Sequence, residues 1–268
     1  MTQQSPEEVN RQIPNVLACD VGNSAVRIAV VAGEEVTGLQ SFRVGELGGL
    51  PGAMRELWSQ MPPPRRIVAG SVNPSALKAV EAAAVEAMEQ KVLVIGRDIP
   101  VPIETDVDSP ESVGTDRLCS AVAAFDRLGK ACVVADFGTA VTIDCVNDEG
   151  VFLGGAILPG LRMQSDALHE RTAALPRVPP AEASDVFGKD TTNAMLNGML
   201  ASVRGALQSL VESYATSLGH WPLVIATGGD ADLVAGGMLK TGLVQAIVPD
   251  LTLRGVAMAY YRTLLSQQ

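Results

Sequence analysis

A few short stretches carry residue types that could handle a phosphorylated ligand. In Leu17-Ala-Cys-Asp20-Val-Gly22-Asn23-Ser24-Ala-Val-Arg27, an apolar run ends on a carboxylate and turns at a glycine into a second apolar run. A carboxylate beside exposed backbone N–H groups suits a metal-bound phosphate, because glycine lets the backbone approach closely and the acid can hold Mg²⁺ through water. The same letters also make an ordinary hairpin. Ala135-Asp136-Phe137-Gly138-Thr139-Ala140 repeats the design after its own apolar run. Paired D-x-G hairpins suggest an internal duplication that places Asp20 and Asp136 on opposite walls of one cleft; two unrelated hairpins are the alternative. Between them, Gly114-Thr115-Asp116-Arg117 opens a helix, either as plain capping and dipole complementarity or as a site. Thr227-Gly228-Gly229-Asp230 follows another apolar run; there a base or ribose could lie flat on backbone, or a strand could simply turn into a helix.

Other chemistries lack material. The only histidines, His169 and His220, read as structural, and no Gly-x-x-x-x-Gly-Lys-[Ser/Thr] loop is present. Cys19, Cys119, Cys132 and Cys145 lie in apolar runs without C-x-x-C spacing, so they read as buried hydrophobes rather than zinc or redox ligands. A net charge of −10 argues against a nucleic-acid or anionic-membrane surface, and any phosphate must be gripped locally by turns and a metal. There is no apolar run of about 18 residues, and the leader Met1–Pro14 is polar without an apolar signal core, which leads us to expect no membrane span and a cytoplasmic home.

The elements that must position these residues alternate. With 47% hydrophobic and 4% aromatic residues, the 268-residue chain reads as globular α/β, of one large or two ordinary domains. A meander over 16–19, 28–31 and 39–43 opens it. The periodicity then predicts helices over 46–60, despite an internal Pro51, and 75–90, with strands over 67–72 and 92–95. After a Pro-rich loop come a helix to Leu128 and the second hairpin. Gly154-Gly155-Ala-Ile-Leu-Pro159-Gly160, where the glycine pair could serve tight packing, leads to a helix over 161–171 with Met163, Ala167 and Leu168 inward. A long loop of possible functional weight over 175–189, a helix over 191–218, a strand over 223–226 and a helix over 250–265 complete the chain. Strands alternating with helices imply right-handed crossovers and a mixed sheet.

These stretches, in order, resemble the type III pantothenate kinases of the actin-like, sugar-kinase and chaperone ATPase superfamily. The resemblance runs through Asp20–Arg27, Gly114–Arg117, Asp136–Ala140, Gly154–Gly160, Glu170-Arg-Thr-Ala-Ala-Leu-Pro-Arg177, Gly188-Lys-Asp-Thr191 and Thr227–Gly229. It implies duplicated actin-like (ribonuclease H-like) domains, 1–125 and 126–268, with mixed five-stranded sheets flanked by helices. It also implies a homodimer that transfers the γ-phosphate of ATP to pantothenate, giving 4'-phosphopantothenate in the first step of coenzyme A synthesis, with Mg²⁺ and a monovalent cation, K⁺ or NH₄⁺.

Carried over by position, the ATP phosphates would meet Asp20, Val21, Gly22, Asn23, Ser24, Ala25, Val26 and Arg27, with Asp20 facing Mg²⁺. Thr139 would be a further ATP contact. Gly114, Thr115, Asp116 and Arg117 would hold pantothenate, Asp116 would be the general base, Asp136 the monovalent-cation ligand, and Thr191 a substrate contact reached across the dimer. The family usually has Thr at position 24 and Ala at position 115, and often a pocket tyrosine near Val107. Two alternatives stand beside this reading. Thr115 and the missing tyrosine favour a kinase of another small hydroxyl compound, while a nucleotide-binding regulator without turnover has no need of all three acids.

Overall fold

The computed structural model describes residues 14–266, so the polar leader lies outside the described residues apart from Pro14. Among the described residues there are ten strands: β1 (Asn15–Val21), β2 (Ala25–Ala32), β3 (Glu35–Arg43), β4 (Arg65–Ser71), β5 (Val92–Val94), β6 (Cys132–Phe137), β7 (Ala140–Val146), β8 (Phe152–Pro159), β9 (Leu223–Thr227) and β10 (Ala246–Ile247). The helices are α1 (Leu50–Gln60), α2 (Pro74–Met88), α3 (Thr115–Leu128), α4 (Leu161–Arg171), α5 (Thr191–Leu218), α6 (Ala231–Thr241) and α7 (Leu251–Leu265). Pro51 is not internal to α1. It falls in the first turn, where its missing N–H costs nothing.

Two five-stranded sheets share one plan, β3-β2-β1-β4-β5 and β8-β7-β6-β9-β10. In each, an antiparallel three-strand meander is extended by parallel strands behind crossover helices. β1 is apolar on both faces because both are covered. Leu17, Cys19 and Val21 pack with α1 and α2, whereas Val16 and Ala18 pack with Leu253, Val256 and Tyr260 of α7. Asp20 belongs to the α7 face by strand alternation. In the second sheet Val133, Ala135 and Phe137 of β6 enter the core formed with α5 and α6, and Asp136 points to the opposite face.

The chain forms two compact units. The first comprises the described residues through Glu104, Asp108–Ala123 and Asp250 onward; the second comprises Thr105–Val107 and Ala124–Pro249. A simple division at 125/126 would leave α7 in the second unit, but its buried face packs against β1, β2 and β4 of the first. Gly255 makes this possible, since any side chain there would collide with the Cys119 backbone of α3. Tyr261 then donates its hydroxyl to the Val31 carbonyl at 3.1 Å.

Two further expectations are corrected. Residues 152–159 form a strand where a glycine-rich lead-in was expected; Gly155 lets β8 approach β7, because a side chain there would strike Asp144 and the Ile143 carbonyl. In α4 the inward residues are Leu161 and Ser165, while Met163, Ala167 and Leu168 are exposed. The reason is polar: the buried Ser165 hydroxyl accepts the Val178 N–H at 2.8 Å and ties the following loop to that face.

Candidate active site

Asp20 is the penultimate residue of β1, paired across the hairpin with Arg27 and across the parallel ladder with Gly70. Val21 and Val26 are fully buried core residues, so they frame the turn and leave only backbone to a ligand. Gly22, Asn23 and Ser24 form the loop, closed by the Gly22 N–H donating to the Ala25 carbonyl at 3.0 Å. A Cβ on Gly22 would lie 3.2 Å from that oxygen, which is why the position takes glycine. Arg27 Nε and Nη2 both donate to Asp20 Oδ2, at 2.9 and 2.7 Å. Such a fork between partly buried partners is a charge-assisted, orientation-fixing contact. It occupies one carboxylate oxygen and leaves Oδ1 to carry the remaining acceptor capacity.

The corresponding turn of the second unit is one residue shorter, with residues 138–139 between its strands against 22–24 in the first. Gly138 N–H donates to the Ala140 carbonyl at 3.2 Å, the counterpart of the Gly22 bond. Ala25 and Ala140 are therefore equivalent, and Ser24 is the extra residue. Asp136 pairs with Thr142 and with Thr227 of β9. Glycines crowd its carboxylate: a Cβ on Gly138 would lie 3.2 Å from Oδ1, and one on Gly228 at 2.5 Å. The Thr227 hydroxyl is buried in the same neighbourhood with no hydrogen-bond partner. Gly160 packs on the turn as well, since a side chain there would collide with the carbonyls of Gly138 and Thr139.

Asp116 stands in the first turn of α3, in the same unit as Asp20. Its Oδ1 accepts the Arg117 N–H at 2.8 Å and folds back over Gly114, where a Cβ would lie 2.5 Å away. This contact is the physical content of the Gly-x-Asp spacing. Burial pushes the Asp116 carboxyl above its ordinary value and the Asp20 charge adds to the rise, against the opposing Arg117 amide and guanidinium. A carboxylate made more basic in this way is suited to accept a proton. Thr115 Oγ1 reaches the Ser71 carbonyl at 3.4 Å, which spends its hydroxyl on the scaffold.

Thus Asp20, Arg27, Gly114, Thr115, Asp116 and Arg117 fall in one unit, and Asp136, Thr139, Val107 and Thr191 in the other. Thr191 is exposed at the head of α5, behind the N-cap Asp190. Val107 lies against β8, 3.6 Å from where Gly154 would carry a Cβ. A cavity of about 390 Å³ lined by Arg162, Asp166, Arg177 and Val178 holds none of the acids singled out above. Two residues had no sequence signal as part of the site: Thr252 of α7 and Ser120 of α3, which touch each other at 2.9 Å, Thr252 also accepting from Arg27. Among the described residues no group of three or more His, Cys, Asp or Glu could hold a metal, and no helix is long and apolar enough to cross a membrane.

A twofold repeat of one sheet plan, with an acid-glycine hairpin at the same place in each half, defines an actin-like fold. An archaeal actin homologue shares the fold, with a TM-score of 0.51 at 14% identity over 92% of this chain and 99% of that one. A type III pantothenate kinase of Listeria monocytogenes is 35% identical over 196 residues, covering 73% of this chain and 74% of its own. One from Dehalococcoides mccartyi is 31% identical over 254 residues, covering 91% and 96%. The sequence profile of type III pantothenate kinases matches residues 16–213. The chain belongs to the type III pantothenate kinase family.

Proposed function

We propose that this chain transfers the γ-phosphate of ATP to the primary hydroxyl of pantothenate, with Asp116 as the general base. The observation that carries this reading is the Asp116 carboxylate, half-buried, raised in basicity and fixed through Oδ1. Oδ2 takes the hydroxyl proton as the alkoxide oxygen bonds to the γ-phosphorus and the electron pair of the breaking bond leaves with ADP. Phosphoryl transfer needs little covalent help from the protein, so positioning and charge neutralisation do most of the work. Gly22, Asn23 and Ser24 present backbone to the phosphates, and Arg27 supplies positive charge beside them. Asp20 suits Mg²⁺, which binds through one or two carboxylates and phosphate oxygens rather than an all-protein cage. When bound, that ion neutralises charge on the β- and γ-phosphates.

Asp136 and the Thr227 hydroxyl supply oxygen donors of the kind that K⁺ or NH₄⁺ takes. The unpartnered buried hydroxyl is the observation that favours a ligand there. The test is ADP release from ATP and Mg²⁺, with and without pantothenate and with K⁺ exchanged for Na⁺. Release that requires pantothenate and is accelerated by K⁺ is expected. Turnover only with other small alcohols would favour the second reading, which rests on Val107 lacking a hydroxyl, and nucleotide binding without turnover would favour a regulator.

The working form in this reading is a homodimer in which Thr191 reaches the substrate of the second copy. In support, Val186 and Phe187 are 87% and 85% exposed on a loop pinned by Asn197 Nδ2 to the carbonyls of Asp185 and Val186. A held loop that shows large apolar side chains to water is suited to a partner. Light scattering should give twice the chain mass, and Phe187→Glu should lower it towards one chain and raise KM for pantothenate. An unchanged mass for the variant would remove the loop from the interface.

A further inference from the structure

Buried hydroxyls are costly unless they are hydrogen-bonded, so a pair of them inside an otherwise apolar helix contact asks what they serve. Thr252 and Ser120 are such a pair, 1% and 2% exposed, where α7 meets α3. Their oxygens lie 2.9 Å apart, and Arg27 Nη2 lies 3.3 Å from Thr252 Oγ1. Because the guanidinium can only donate, Thr252 accepts from Arg27 and has its own hydrogen for Ser120. The chain of contacts runs Asp20, Arg27, Thr252, Ser120. It joins the phosphate turn to the helix whose first turn carries Asp116, with Ser120 one helical turn further on.

We propose that Thr252 is a positioning residue for the nucleotide-phosphate turn, acting through Arg27. Held from behind by Thr252, the guanidinium keeps both Nε and Nη2 on Asp20 Oδ2, which fixes the carboxylate rotation and presents Oδ1. A hydroxyl at 252 therefore sets the charge geometry at a turn 225 residues away in sequence. The inference rests on the assignment of ATP phosphates to Asp20–Arg27 made above.

The test compares Thr252→Val, Thr252→Ser and Arg27→Gln, and adds Thr252→Val to the Arg27→Gln background. Calorimetry reads the affinity for a magnesium complex of a non-hydrolysable ATP analogue without pantothenate, steady-state kinetics separates the two KM values, and thermal unfolding confirms the fold. Because the Thr252 bond is long, at 3.3 Å, and reaches the nucleotide only through Arg27, its loss should weaken nucleotide binding on the scale of an ordinary hydrogen bond, about three- to tenfold. The KM for ATP should rise by the same factor, the KM for pantothenate should not change, Thr252→Ser should restore binding, and Thr252→Val should add nothing once Arg27 is Gln. Equal effects of Thr252→Val with and without Arg27, or parallel losses for both substrates, would reduce Thr252 to a packing residue and overturn the inference, as would unchanged binding in a folded Thr252→Val. If Arg27→Gln itself leaves binding unchanged, the assignment of the phosphates fails and the inference falls with it; if only Arg27→Gln weakens binding, the assignment survives and the inference alone falls.

Discussion

Asp116→Asn should lower kcat for pantothenate phosphorylation by about 10²–10⁴-fold while leaving nucleotide affinity and the circular dichroism spectrum intact. The amide is nearly isosteric and retains a carbonyl oxygen for the Arg117 N–H, so the α3 start survives. What disappears is a site for the substrate proton. The pH profile gives a second readout of the same residue. Because burial and the Asp20 charge raise the Asp116 pKa, the wild-type acid limb of kcat/KM should lie above the ordinary aspartate range, with activity lost as pH falls through that raised value. The limb should vanish from the residual activity of Asp116→Asn. A variant that keeps more than a tenth of wild-type kcat, or retains the limb, would exclude Asp116 as the base.

Gly228→Ala should strongly destabilise the second unit. Gly228 has φ +98°, a region that L side chains avoid, and the added Cβ would lie 2.5 Å from Asp136 Oδ1 and 2.5 Å from the Phe137 carbonyl carbon. The Phe137 neighbour is backbone and cannot swing aside, and the Asp230 N–H donating to the Phe137 carbonyl at 3.0 Å holds the same contact closed. Backbone strain and collision together should cost about 3 kcal/mol or more. The expected result is a fall in Tm of several degrees and, if the cation site proposed above holds, loss of any acceleration by K⁺, measured by scanning calorimetry and ADP release. Gly229→Ala, where a Cβ meets nothing within 4 Å, is the control that should remain folded. Wild-type stability in Gly228→Ala would mean that the turn relaxes and that Asp136 is not held by it.

What could be read from the sequence was whatever depends on near neighbours. The two D-x-G hairpins, the helix start at Gly114–Arg117 and the long α5 are each written within a few residues, and each lies where the letters placed it. β8 was hidden because its sequence, Phe-Leu-Gly-Gly-Ala-Ile-Leu-Pro, lacks apolar/polar alternation and has a single β-branched residue, Ile157, to announce a strand; glycine is chosen there for approach to β7. The α4 face was misjudged because apolar spacing says nothing of a serine buried to hold a loop amide. Thr252 illustrates the harder limit. Its role depends on α7 crossing back to the first sheet, and no local pattern in Leu251–Leu265 says which of two similar sheets that helix covers. The extra residue of the first turn was likewise invisible, because letter alignment matched Ser24 to Ala140 whereas the hairpin bond matches Ala25.

The return of α7 to the first sheet also orders events during synthesis. Residues 124–249 are contiguous and emerge from the ribosome as a complete folding unit, whereas β1, β2 and β4 wait for a helix made only after Asp250. Until then the face bearing Val16, Ala18 and Asp20 lacks its cover, and Arg27 lacks the hydroxyl behind it. A nascent chain therefore cannot complete the contacts behind Arg27 until α7 has been made. The first unit of this chain therefore cannot be completed before the second has been synthesised, unlike the usual N-terminal-first order of multidomain proteins.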